Sequence, residues 1–139
     1  MRVLFDANVV LDVLLARAPH AAAATTLFVY VARKSLDGLL CATTLTTIFY
    51  LAAKASTSAK ARRHVRTLVA LFDVAVVTRS VVADALEAGF KDFEDAALHE
   101  GARQAGTSAI VTRNPSDFAA SKLQIYSPAK LLRLIRAAE

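Results

Sequence analysis

Five short apolar runs, each separated from the next along the chain, constrain this fold more than anything else. Arg2–Phe5, Leu39–Ala42, Val74–Val77, Ala109–Val111 and Leu123–Tyr126 read as strands, rich in β-formers and bounded by polar or turn residues. Helix-length segments lie between most of them. Strands that alternate with helices form a parallel sheet covered on both faces, so the fold class is α/β with a small central sheet of four or five strands. A parallel sheet sends the carboxyl end of every strand to one edge, where ligands and metals collect.

The intervening segments carry helical spacing. Val9–Ala16 reads as a short helix, broken by Arg17, Ala18, Pro19 and His20. A second helix runs from His20 to about Lys34, and Asp37-Gly38 reads as a turn. The threonine-rich run Thr43, Thr44, Thr46, Thr47 leads into a third helix through Ile48, Phe49, Leu51 and Ala52. Ala59–Phe72 places Val65, Leu68, Val69 and Phe72 on one buried face. Ser80 is the expected cap of a helix that Gly89 ends; Phe93–Gln104 is the next helix, and Pro128 opens the last. With no repeats and no low-complexity linker, residues 1–139 form a single domain.

Placed on this frame, scattered polar residues become a constellation. Asp6 follows the first strand, with Asn8 close behind; Thr43 and Thr44 follow the second; Thr112, Asn114 and Asp117 follow the fourth. Asp92 and Asp95, three positions apart, share a face where a helix begins near the same edge. Each has a plain structural alternative. Asp6 and Asp92 are good helix caps, Asp95 suits a first turn, and Asn114 before Pro115 can simply shape a turn. Thr46 and Thr47 can bond back to their own helix. Asp12 reads as structural, paired with Arg17. Capping alone, however, does not require three segments to meet at one edge. Oxygen-only ligands of this kind suit Mg²⁺ or Mn²⁺ rather than Zn²⁺.

Composition narrows the partners. The formal charge of +5 is compatible with a polyanion, and the densest basic run is Lys54, Lys60, Arg62, Arg63, His64 and Arg66, which is equally a solvated helix face. Arg17, Lys91 and Arg113 lie nearer the acids and are the candidate contacts for such a polyanion. His64 and His99 have no ligand-spaced partner and read as surface residues. The apolar fraction of 55% exceeds the typical ~45–50% and points to a surface covered by a partner or a second copy. The single cysteine, Cys41, reads as a small core residue and fits a reducing, cytoplasmic setting. No stretch has the ~20 apolar residues of a membrane span, and no secretion signal opens the chain.

Four segments together resemble a PIN domain of the branch near the VapC-type ribonucleases: VLFDANVVLDVLLAR, ATTLTTIFYLAAK, KDFEDAALHEGA and IVTRNPSDF. The resemblance spans essentially the whole chain in the right order. It implies a three-layer α/β/α fold and clustered carboxylates that hold Mg²⁺ or Mn²⁺ and hydrolyse RNA. Matched residue by residue, it implies Asp6, Asp95 and Asp117 as metal ligands and Asp92 as a fourth catalytic acid, with Asn8, Thr43, Thr44, Thr112 and Asn114 in support. It further implies an antitoxin partner and a homodimer. The chain departs from many relatives in lacking a glutamate on its third helix, and in carrying Asn114 where many have an acid. These departures keep a second reading open, a degenerate module that binds RNA or protein without cutting. A receiver-like or phosphatase domain also places an aspartate after its first strand, but the late K-P turn it needs is missing.

Overall fold

The apolar runs pair as a parallel sheet. In the computed structural model, which describes residues 1–139, the strands are β1 (Arg2–Phe5), β2 (Asp37–Cys41), β3 (Asp73–Ala75), β4 (Ala109–Val111) and β5 (Gln124–Tyr126). All neighbours are parallel, in the order β3-β2-β1-β4-β5. The helices are α1 (Ala7–Leu14), α2 (Ala21–Ala32), α3 (Ala42–Ala55), α4 (Ser58–Leu71), α5 (Arg79–Leu86), α6 (Phe93–Gln104) and α7 (Pro128–Ala137), with a 3₁₀ turn at Pro115–Phe118. None is long and apolar enough to cross a membrane.

The two-residue period of the strands divides the core into two layers. Val3, Phe5, Leu40, Ala109 and Val111 face α1, α2, α4 and α7 through Val9, Leu27, Leu68 and Leu131. Leu4, Leu39, Cys41 and Ile110 face the other way, onto Leu98 and Ala102 of α6 and onto Phe118. Cys41 is thus a core residue, as expected. Phe5, Phe28 and Phe72 meet edge to face, with centroids 5.1 to 6.0 Å apart. Each such pair adds roughly 0.5–1.5 kcal/mol beyond the area it buries.

Two local expectations are corrected. Asp37-Gly38 is the start of β2 rather than a turn, because Arg2 pairs with Asp37 in register and binds its carboxylate at 2.8 Å. Gly38 is required there for space: a Cβ would sit 2.8 Å from ring carbons of Phe72. The cap of α5 is Thr78, whose hydroxyl accepts from the Val81 N–H at 3.3 Å; Ser80 lies inside the helix and meets Gln104 instead.

Strand order fixes where the site lies. The chain steps outward from β1 to β2 to β3, then crosses to β4 on the far side of β1. The divergence between β1 and β4 is the crevice in which open α/β sheets hold ligands. Phe5 pairs with Val111, so the next residues, Asp6 and Thr112, are brought side by side, and the Asp6 N–H donates to the Val111 carbonyl at 2.9 Å.

Candidate active site

Asp6 caps α1 and also lines the recess at the crevice. Its Oδ1 accepts from the Ala7 N–H at 2.8 Å. Its Oδ2 accepts from the Thr112 hydroxyl at 2.8 Å and from the Asn8 amide at 3.4 Å. The Asn8 carbonyl oxygen accepts from the Arg113 N–H at 3.2 Å, which ties the start of α1 to the segment after β4. Burial raises the Asp6 carboxyl above its ordinary range, opposed by the bonds from Thr112 and Ala7, while the charges of Asp117 and Glu94 add to the rise.

Opposite it, Asp92 caps α6 by accepting from the Asp95 N–H at 3.0 Å. Five carboxylates, Asp6, Asp92, Glu94, Asp95 and Asp117, line one recess of about 320 Å³ together with Asn8 and Asn114. Asp95 registers the crowding. Its carboxyl is pushed up to about 7, first by burial and then by the charges of Asp6, Asp92, Asp117 and Glu94. Only two cations share the wall, Arg17 and Arg113. Both are held by Asp12, which pairs with Arg17 at 3.0 Å, as expected, and with Arg113 at 2.8 Å.

Other expected contributors fall elsewhere. Thr43 meets the Cys41 sulfur at 3.3 Å and Thr44 is buried, so neither lines the acidic recess. Lys91 lines an adjoining cavity that shares Asp92, Asp95 and Asp117, but not the recess that holds Asp6. His99 is not a surface residue: it is 2% exposed, bonded through Nδ1 to Glu100 at 2.8 Å and accepting at Nε2 from the Lys122 N–H at 3.2 Å. The basic run lies on α3 and α4, outside the recess, with Arg62 stacked over Phe49.

The donor set suits a hard divalent cation. It is all oxygen, it carries an excess of negative charge over the two arginines, and its carboxyls are raised by burial first and by mutual repulsion second, the second of which a cation would relieve. No three acidic, histidine or cysteine side chains are gathered tightly enough here to form a ready-made ligand group.

The PIN domain family model matches residues 2–116. The chain belongs to the PIN-domain family. Solved structures share its fold at low identity. FitAcB from Neisseria gonorrhoeae aligns at a TM-score of 0.71 and 18% identity, covering 91% of this chain and 98% of that one. VapBC2 from Rickettsia felis, bound to a DNA fragment from its promoter, aligns at 0.70 and 11%, covering 91% and 98%. VapC20 from Mycobacterium tuberculosis, a sarcin-ricin loop cleaving toxin, aligns at 0.64 and 14%, covering 78% and 86%. No curated protein sequence matches significantly.

In this PIN domain α3 lines the recess only through Leu51, while Thr47 stands beside it and meets Glu94 at 3.4 Å. Sequence reading missed Glu94 because an acid in the first turn of a helix is adequately explained by the helix dipole. Its position between two candidate acids, Asp92 and Asp95, was the available signal.

Proposed function

We propose that this PIN domain is a metal-dependent endoribonuclease and the toxin of a toxin–antitoxin pair, acting on RNA as a homodimer under the control of a small antitoxin. The observation that carries this reading is the recess of five carboxylates at the β1/β4 crevice, with Asp95 pushed up to about 7. Asp6, Asp95 and Asp117 would hold Mg²⁺ or Mn²⁺, with Glu94 available beside them. The ion, when bound, supplies a more acidic water and neutralises charge on the scissile phosphate.

The protein's own groups do the rest. Thr112 and Asn8 fix the Asp6 carboxylate so that one oxygen stays committed to the rim. Asp92, itself anchored to the Asp95 N–H, is placed to orient a water or accept its proton. Arg17 and Arg113 offer the cations for the phosphate backbone. Antitoxin control is supported by a toxin–antitoxin complex from Klebsiella pneumoniae among the solved structures that share the fold.

Cleavage of a mixed structured-RNA panel in Mg²⁺, Mn²⁺ or EDTA, wild type beside Asp6→Asn, tests the proposal. Metal-dependent cutting that vanishes in the variant supports it. Absence of cutting by a folded protein that binds Mn²⁺ favours a module that binds without cleaving. The observation on that side is α3, whose one residue in the recess is Leu51 rather than an acid.

A further inference from the structure

Asp12 is fully buried on α1, yet it serves two arginines from distant parts of the chain. Arg17 Nε lies 3.0 Å from its Oδ1 and Arg113 Nε 2.8 Å from its Oδ2. A buried carboxylate needs such compensation, since desolvating a lone charge costs several kcal/mol. One arginine would suffice to compensate it. Because each arginine engages Asp12 through Nε, its two terminal amino groups stay uncommitted, and the side chains remain 40% and 29% exposed. Both line the recess that holds the carboxylates.

We propose that Asp12 is a positioning residue that clamps Arg17 and Arg113 into a paired contact for the RNA phosphates flanking the cleaved bond. This rests on the nuclease reading above. The recess is then divided: acids to bind the cation on one side, two prealigned guanidinium forks on the other. Arginine suits this task because its planar fork matches phosphate, and here each fork is held by an ion pair between Nε and Asp12 that is close in distance but not aligned as a hydrogen bond. Holding the forks in advance removes the rotamer entropy that binding would otherwise cost.

The sign of one substitution separates this role from simple charge. Asp12→Asn makes the rim one unit more positive, so long-range attraction alone tightens binding to a polyanion. If Asp12 acts by clamping, the same change weakens binding, because the arginines lose their alignment.

The test is equilibrium binding of labelled random-sequence single-stranded RNA in Ca²⁺ buffer, with the folded state of each variant checked by circular dichroism. The side-chain Nε–H signals of Arg17 and Arg113 are followed by NMR in parallel. Asp12→Asn is expected to bind about tenfold more weakly, the scale of one charge-assisted bond, with both signals broadened or lost. The double variant Arg17→Lys, Arg113→Lys keeps the charge and should weaken binding similarly, which decides the matter should Asp12→Asn fail to fold. Equal or tighter binding by folded Asp12→Asn, or full affinity in the double lysine variant, overturns the clamp. Wild-type protein that binds no RNA overturns the nuclease reading, and the clamp with it.

Discussion

The Thr47 hydroxyl on α3 lies 3.4 Å from Oε1 of Glu94 on α6, bridging two helices from opposite layers across the acidic recess. The threonine's single proton is shared with the Thr43 carbonyl, also at 3.4 Å, so the bridge is weak and Glu94 stays free to turn toward a cation. Through this contact α3 reaches one acid of the recess with a hydroxyl from outside it, while the charge comes from α6.

Glu94→Gln keeps the size and the acceptor but removes that charge. Mn²⁺ affinity measured by calorimetry should fall by about tenfold, in the range seen for altered groups around a metal. The Asp95 carboxyl, followed by NMR in EDTA, should titrate lower than in wild type. The drop should be smaller than that produced by Asp6→Asn, since Asp6 is the strongest and Glu94 the weakest of the four charges acting on Asp95. An unchanged Mn²⁺ affinity would remove Glu94 from the site.

Asp6→Asn should separate function from folding. The amide has one acceptor oxygen where the carboxylate gives one each to Ala7 and Thr112, so one bond is weakened. Against this, the substitution removes a charge that Asp95 feels directly. The two effects oppose, and metal-free stability in urea should change by no more than about 1 kcal/mol. RNA cleavage should drop by roughly 10²–10³-fold, as for loss of one preorganised electrostatic group. A large loss of stability with activity retained would reduce Asp6 to a cap.

The strands and the acids that follow them were legible because apolar runs ending on Asp, Thr or Asn are local signals. Pairing was not. That β4 lies beside β1, setting the Thr112 hydroxyl on Asp6, is a property of strand order that no window of sequence carries. Thr43 and Thr44 were expected at the rim because they follow β2, yet the first turn of α3 leaves Thr44 buried and Thr43 on the Cys41 sulfur. His99-Glu100 resembles a solvated pair on a helix until α6 is seen to bury every residue from Ala96 to Ala102, about two full turns.

Acid titration supplies a third prediction. Asp6 and Asp95 have raised carboxyls in the folded protein, Asp95 to about 7. Between about pH 4 and pH 7 the folded state therefore holds more protons than the unfolded chain, and metal-free stability falls as pH rises through that window. Urea midpoints in EDTA should decline from pH 5 to pH 7. Asp95→Asn should flatten the decline, and saturating Mn²⁺ should abolish it. A midpoint that rises over this interval in both proteins would contradict the crowding.

His99 should act in the opposite sense. Burial holds its imidazole below the ordinary range, against the pull of Glu100, so the folded protein prefers it neutral. Acceptance of the Lys122 N–H at Nε2 places the proton on Nδ1, toward Glu100. The unfolded chain binds a proton more readily, and the stability His99 lends is lost as pH falls below about 6.5. In an Asp95→Asn background, where the larger of the two opposing acid shifts is gone and Asp6 loses a charged neighbour, urea midpoints should therefore drop on acidification below that point. His99→Ala should remove this dependence. It also strands the Lys122 N–H, leaves the buried Glu100 with Arg103 alone and opens a void against Phe90, 4.9 Å away ring to ring. A loss of roughly 2–4 kcal/mol follows, while RNA cleavage per folded molecule holds, because His99 lies outside the acidic recess. Cleavage lost in step with the histidine, at full folding, would place it in the mechanism instead.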